Sequence, residues 1–568
     1  MKVLGICHDV LICSAALIED GEVLAAAPEE RFDRRKQSRV FPTQAVAWCL
    51  EDAGLTMGDI DEIAIAWNPS IDLQTLPAGW LDARRHRGEH FTSVPGRLMR
   101  SAGAEPAHMV TMQTAYADAP PITFVNHYDS HIGNSYHLSG WDSAALCVLD
   151  GRAERQTSLL ANATGTKIER LNEVAFPHSL GLLYGTITQF LGYRADSDEW
   201  KVMAMGSHQD PENRYLDLLR EMVHVADDGT FRVDLSYFEF FNQFDPRMYS
   251  DKFVAEFGTP RRKADDITDE HELLASACQR IFEEATTKIL TSLHAQTGQS
   301  RVAVSGGCFM NSVFNGKITE VTPFDEVFIS SCPDDSGTAV GAAMFLEAER
   351  TGKLQRTSPM LHNYWGVGYT DEQCQAVVDK CRLPGVTIVD DPAKSAAQDL
   401  VDGHVLGWFQ GRMEFGQRAL GARSILCDPR REDGKAVVNA AVKFREGFRP
   451  FAPAILAEKV HEWFEAPEGA KVPFMERVYQ FLPEQAPKVP AVVHTDGSGR
   501  VQTVDSATAE RYHAMISEFD RLTGVPIVLN TSFNLNGEPV VMTPEDAIRT
   551  FYTCALDVLY LGNVRIAK

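Results

Sequence analysis

A strand–hairpin–strand pattern occurs twice in this chain, and that repetition restricts its fold more than any other feature. The opening reads as strand, strand, tight turn, strand: "KVLGIC", "SAALI", "EDG" and "EVLAAA". A DG pair between apolar runs is a strong hairpin signal, because such turns need residues that tolerate positive φ. A helix follows in "TQAVAWCLEDAGL", then a further strand in "EIAIAW". The same order returns more loosely over 144–175, in "AALCVLDG", "TSLLANATG" and "TKIERLNEVAF". Two halves that each begin with the same sheet imply an internally duplicated α/β fold.

That layout is similar to the architecture of actin, hexokinase and the Hsp70 ATPase, in which a ligand sits between two related halves. Helices are expected over roughly 178–192 and 266–297. A strand ("RVAVSGG"), a helix start ("CFMNSVFNGKI"), a strand ("EVFIS") and a glycine-containing helix ("SGTAVGAAMFLEAER") come next. Over 351–368 the pattern breaks, and "TGKLQRTSPMLHNYWGVG" has no sustained period. At 568 residues the chain is too long for one core. The break divides it into a first domain, 1–355, and a second α/β domain, 356–568, with helix "TDEQCQAVVDKC" and strands "HVLGWFQG" and "VPIVLN".

The totals exclude several classes. A formal net charge of −24 repels polyanions, so a nucleic-acid partner is not expected, although a local basic pocket can still take a small anion. No apolar run is long enough to span a bilayer, so no membrane partner is expected. The start, "MKVLGICHDV", lacks the features of a signal peptide, and the 11 cysteines form no CxxC, which together point to a cytoplasmic protein with buried thiols.

Residues suited to chemistry fall into two groups. In "VNHYDSH", His127 and His131 stand four apart, which on a helix puts both imidazoles on one face. Asp150 ends the apolar strand of "VLDG", and Asp335 lies in the loop "PDDSG" just before a helix. Two imidazoles and two carboxylates suit a divalent metal such as iron or manganese. In "VSGGCFMNS", Gly306 and Gly307 let backbone approach a ligand, and Asn311 follows at a helix start. The second group lies near the C-terminal end. "GRMEFGQRALGARSILCDPR" carries Arg412, Arg418, Arg423 and Arg430 among glycines, and "VKFREGFRPFAPAIL" adds Lys443, Arg445 and Arg449. In so acidic a chain, seven basic residues in two short segments read as a phosphate-binding pocket. "LNTSFNLNGEPVV" supplies Asn530, Thr531, Ser532 and Asn534 for phosphate or ribose.

"EWKVMAMG", "VSGGCFMNS", "PDDSGTAVGAA", "GRMEFGQRALGARSIL", "FREGFRPFAPAIL" and "LNTSFNLNGEPVVMTPEDA" together resemble the NodU/CmcH family of O-carbamoyltransferases. The resemblance implies a Kae1-like first domain and a YrdC/Sua5-like second domain. The second would use carbamoyl phosphate and ATP with Mg(2+) to make carbamoyl-adenylate, releasing phosphate and pyrophosphate. The first would pass the carbamoyl group to a hydroxyl of a small-molecule natural product, as in antibiotic biosynthesis. His127, His131, Asp150 and Asp335 match the family's metal ligands, implying Fe(2+) or another divalent metal. Lys201, Gly306 and Gly307 would hold the adenylate. Arg412, Arg418, Lys443, Arg445 and Arg449 would neutralise phosphates, and Arg418, Lys443, His127 and His8 form the implied catalytic set. Relatives are often dimers, implying a homodimer.

The chain also departs from the family's pattern. Tyr128 replaces the usual second histidine of HHxxHA. His8, the base implied for the acceptor proton, stands three residues earlier than the family's alignment places it. The acceptor is therefore the open part of the reading. The first alternative is carbamoyl transfer to a nitrogen; a tRNA-modifying factor would need a basic face, and a plain actin-like ATPase or sugar kinase would leave the C-terminal arginines unexplained. Specificity is expected in 68–120 and 208–262, and "FEFFNQF" (238–244) is expected to pack a helical insert.

Overall fold

Both hairpin-led halves fold into five-stranded sheets of one topology. The computed structural model describes residues 1–8, 10–68, 120–207, 212–242, 246–443 and 451–568. In the first half, β1 (Lys2–Cys7), β2 (Ser14–Glu19) and β3 (Glu22–Pro28) form the antiparallel part, and β4 (Glu62–Ile65) and β5 (Ile122–Phe124) extend it in parallel from β1. The order is β3-β2-β1-β4-β5. The second half repeats it with β6 (Ser143–Leu149), β7 (Gln156–Thr164) and β8 (Lys167–Ala175). A small pair, β9 (Val223–Val225) and β10 (Phe231–Val233), intervenes before β11 (Arg301–Ser305) and β12 (Glu326–Ile329), which join in parallel to give β8-β7-β6-β11-β12. Strand for strand these are the same sheet, so the duplication read from the sequence is a property of the fold. Burial explains the composition: β1 and β6 are covered on both faces, and their residues are almost uniformly apolar.

Two helices fix where the halves meet. Helix α1 (His127–Gly133) is capped by Asn126, whose side chain accepts the Tyr128 and Asp129 amides. A long helix, α2 (Asp269–Thr297), packs along the second half. Helix α3 (Thr338–Thr351) lies against α1 and against β1, β2 and β4. The α1–α3 crossing is closed by glycine: a Cβ on Gly341 would stand 1.8 Å from the Ser130 carbonyl oxygen, and one on Gly133 2.0 Å from that of Gly341. Only backbone without side chains fits there. The expected helix start at 308 is a 3-10 turn (Gly307–Met310), and the α-helix begins at Ser312.

The chain separates into two units. The first holds Met1–Ala26, Arg39–Asn311 and Lys317–Met360; the second holds Leu361–Lys568 together with Ala27–Ser38 and Ser312–Gly316. The second unit is built on one nine-stranded sheet. Its strands are β13 (Val386–Ile388), β14 (Leu406–Phe409), β15 (Arg423–Cys427), β16 (Ala452–Leu456), β17 (Arg477–Gln480), β18 (Ser498–Val504), β19 (Ile527–Ser532), β20 (Val558–Leu561) and β21 (Val564–Ala567). Their order is β13-β21-β20-β14-β15-β19-β16-β18-β17. Trp408, Phe409, Ile455, Phe519 and Tyr560 lie in its core. Among the described residues no helix is long and apolar enough to cross a membrane.

Candidate functional site

Four side chains from three places in the first unit converge. His127 and His131 lie on α1, Asp150 follows β6, and Asp335 opens the turn before α3. One donor atom from each lies within 4.8 Å of the others. His127 Nε2 is 3.3 Å from Asp335 Oδ1 and 3.6 Å from Asp150 Oδ2; His131 Nε2 is 3.4 Å from Asp150 Oδ2 and 3.8 Å from Asp335 Oδ1.

Three of the four donors are aimed by a contact behind them. His127 Nδ1 meets the Ala66 carbonyl oxygen at 3.1 Å, just past β4, and His131 Nδ1 meets the Ser305 hydroxyl at 3.0 Å, at the end of β11. Both imidazoles therefore turn Nε2 inward. Asp150 Oδ1 accepts the amides of Gly151 (2.8 Å) and Gly307 (3.0 Å), leaving Oδ2 on the histidine side. Glu154, fully buried, accepts the His127 amide at 3.0 Å and the Asn68 amide at 2.7 Å, anchoring the start of α1. The Trp67 ring stands 5.2 Å from that of His127.

The donor set fits a divalent cation. A metal–ligand distance of ~2.1 Å puts neighbouring ligands of a tetrahedral site ~3.4 Å apart, and the four measured separations bracket that value. His131 Nε2 is buried and makes no hydrogen bond among the described residues, a cost that a bound cation removes. The charge pattern agrees. Burial opposes charging the imidazoles, but the carboxylates of Asp150 and Asp335 outweigh it and raise both His127 and His131 above the ordinary histidine value. Burial likewise works to raise Asp150, and the two imidazoles hold it well below the usual carboxylate range. Such a cluster favours positive charge at its centre, which protons or a metal can supply.

The double glycine serves this cluster. Gly306 has φ 100° and a Cβ there would stand 2.1 Å from the Leu149 carbonyl oxygen, while Gly307 donates to Asp150. Asn311 exchanges both amide hydrogen bonds with Gln279, at 2.8 and 3.1 Å. Lys201 Nζ pairs with Asp198 at 2.8 Å and lies over the rings of Tyr193 and Trp200. His8 follows β1 directly; its ring lies 5.5 Å from that of Phe41, and the preceding Cys7 thiol contacts the Asp335 carbonyl oxygen at 3.2 Å. Phe238 is buried against Phe240 and Phe253, so the described part of "FEFFNQF" packs the fold.

In the second unit the arginine–glycine segment and the Asn530–Asn534 segment meet at one end of the sheet. β15 and β19 are antiparallel with Ser424 opposite Ser532, which sets the loop before β15 beside the end of β19. β16 begins at Ala452, opposite Asn530. Segments 411–423 and 529–541 and the start of β16 thus share one edge of three adjacent strands. Arg412 Nη2 donates to the Trp365 carbonyl at 2.7 Å, and Arg418 is half-buried in the loop before β15. Ser532 donates to Asn534 at 2.7 Å, and Asn534 to the Glu538 carbonyl at 2.6 Å; Thr531 lies half-buried in β19. Arg445 and Arg449 lie outside the described residues, as do the side chain of Lys443 and nearly all of 68–120.

Two expectations need correction. Arg423 is 0 % exposed; its Nη atoms donate to the carbonyls of Val367, Gln410, Gly411 and Ala422, and its guanidinium carbon lies 3.6 Å from the Phe409 ring centroid. Those four contacts hold the fold together around it. Asn530 is equally interior, donating to the Ala419 carbonyl and to Gln502. Sequence reasoning missed Glu414, a buried carboxylate whose Oε1 accepts the amides of Leu420, Ala422 and Arg423 at 2.6, 2.7 and 3.3 Å. Its one signal is an acid in the middle of an arginine–glycine run.

Comparison with known proteins agrees across the chain. Residues 2–344 match the family described as carbamoyltransferase N-terminus, and residues 397–568 match carbamoyltransferase C-terminus. The protein sll1178 of Synechocystis sp. is 33% identical over 100% of this chain and 96% of its own. Nodulation protein NolNO of Sinorhizobium fredii is 34% identical over 98% of this chain and 78% of its own. Among solved structures, HypF of T. kodakarensis aligns at 13% identity and a TM-score of 0.33, covering 62% of this chain and 48% of that one, a likeness too weak to carry an argument.

Proposed function

Because the chain belongs to the carbamoyltransferase family, we propose that its second unit activates the carbamoyl group as carbamoyl-adenylate and its first unit hands that group to an acceptor hydroxyl. Carbamoyl phosphate, water and ATP give carbamoyl-adenylate, phosphate and pyrophosphate. The acceptor oxygen then displaces AMP from the carbamoyl carbon and loses its proton.

The meeting of segments 411–423 and 529–541 at one end of β15 and β19, where β16 also begins, supports the reading. Arginines spaced by glycine in so acidic a chain suit an anion. Arg412 and Arg418, with Lys443, Arg445 and Arg449, are the residues we assign to the phosphates, worth most where charge builds on departing pyrophosphate. Thr531, Ser532 and Asn534 supply neutral donors on the same edge.

In the first unit His127, His131, Asp150 and Asp335 would hold the divalent metal, which supplies a Lewis acid for an oxygen of the carbamoyl-adenylate. His8 is the proposed base for the acceptor proton, supported by its position beside Cys7, whose thiol touches the Asp335 loop. Gly307 keeps Asp150 aimed, and Lys201 is assigned to the adenylate. A hydroxyl of a small natural product is the acceptor we assign.

The nucleotide product tests the scheme. Incubation with carbamoyl phosphate, ATP and a panel of hydroxyl- and amine-bearing acceptors should yield AMP and pyrophosphate in equal amounts. ADP as the nucleotide product would overturn the adenylate route.

A further inference from the structure

Residues Ala27–Ser38, from the end of β3 onward, belong in space to the second unit. This arm, Ala27–Ser38, is internally stiff: Glu30 accepts the Gln37 amide at 2.7 Å, Asp33 accepts the Arg35 amide at 2.9 Å, and the Ser38 hydroxyl donates to Asp33. Two of its arginines reach beyond it. Arg31, 3% exposed and paired with Glu30, donates from Nη2 to the Gly416 carbonyl at 2.9 Å. Arg34 donates to the Val540 and Pro539 carbonyls at 2.7 and 3.1 Å and lies 3.6 Å from Asp546.

Those targets are the two motif segments assigned above to phosphate, 411–423 and 529–541. The first is closed from inside by Glu414, which gathers three of its amides, and it turns at Gly416 (φ 131°) and Gly421 (φ 105°). Amides face Glu414, and the Gly416 carbonyl goes to Arg31. Arg418 lies between these two holds. The segments are tied to each other as well, since Phe533 donates its amide to the Arg423 carbonyl at 3.0 Å.

We propose that the arm is a positioning element for the anion site of the second unit: Arg31 and Glu414 fix the loop that carries Arg418, and Arg34 fixes the segment that carries Ser532 and Asn534. The proposal rests on the reading that these segments bind substrate phosphates. A loop arginine contributes fully only when its backbone is already set, because binding otherwise has to order the loop. The N-terminal sequence thereby supplies part of the site that the C-terminal sequence lines.

The test uses the full-length protein and the variants Arg31→Met, Arg31→Lys, Glu414→Gln and Arg418→Ala. Trypsin cuts after arginine, so cleavage of the Arg418–Ala419 bond reports the loop without reference to function. Arg31→Met and Glu414→Gln should be cut there about 10-fold faster than the wild type, and Arg31→Lys less so. In turnover, Arg31→Met should raise KM for ATP or carbamoyl phosphate about 10- to 100-fold with a smaller change in kcat. Adding Arg31→Met to Arg418→Ala should cost nothing further, since both act through one side chain. Unchanged cleavage at Arg418, or additive losses in the double variant, would overturn the proposal. Should Arg31→Met fail to fold, Arg31→Lys carries the same comparisons. A wild type without turnover would overturn the proposed function instead, and the cleavage comparison would then decide the arm by itself.

Discussion

Burial decides what a charged side chain does, and Glu476 and Arg423 are two instances. Glu476 follows Met475, a non-glycine residue at φ 56°, and accepts the Phe474 amide at 2.9 Å. Burial pushes its carboxyl up from 4.5 to about 7 despite nearby Arg477. Between those values the unfolded chain has already ionised Glu476 while the folded chain keeps it protonated, so stability falls as pH rises through this window and the loss is complete above it. Glu476→Gln cannot ionise. It should match the wild type at pH 4.5 and exceed it at pH 8, by up to about 3 kcal/mol, in chemical denaturation at the two pH values; equal pH slopes would contradict this. Arg423 shows the same rule in reverse. Its sequence context, glycine and arginine in alternation, is that of an anion loop, yet its Nη donors end on four backbone carbonyls. A density of arginines signals a site without telling which of them line it, because burial is set by strands remote in sequence.

At the scale of elements, the metal cluster depends on how closely α1 approaches α3. Asp335 begins the turn that leads into α3, and both histidines ride on α1, so the Gly133–Gly341 contact sets the separation of the donors. Gly341→Ala touches no ligand, but its Cβ would meet the Ser130 carbonyl oxygen, and α1 must move away. Affinity for Mn(II) or Fe(II), measured by chelator competition, should fall about 10-fold or more, as it does when support behind a ligand is lost. His131→Ala serves as the reference for loss of a ligand, and undiminished affinity in a folded Gly341→Ala protein would contradict this account of the crossing. Of this arrangement the sequence shows the i, i+4 histidines and two aspartates at strand and loop ends. It does not show that they meet, since His127 and Asp335 are 208 positions apart and only the crossing brings them together. Glu154, which anchors the start of α1, carries no pattern at all, and Ser305, which aims His131, sits in a motif read for its glycines.

At the scale of the molecule, the duplicated sheet was legible because strand alternation, the DG turn and apolar runs are local signals, and they recur. The membership of Ala27–Ser38 in the second unit was not, since nothing in "PEERFDRRKQS" reports where its arginines end. The central claim is a division of labour, with activation in one unit and transfer in the other. Carbamoyl-phosphate-dependent exchange of pyrophosphate into ATP, measured without an acceptor, reads activation alone. The wild type and Asp150→Asn should both exchange, and Arg418→Ala should lose exchange by about 100-fold. Absence of exchange in folded, metal-loaded wild type, or its loss in Asp150→Asn with retention in Arg418→Ala, would contradict the account.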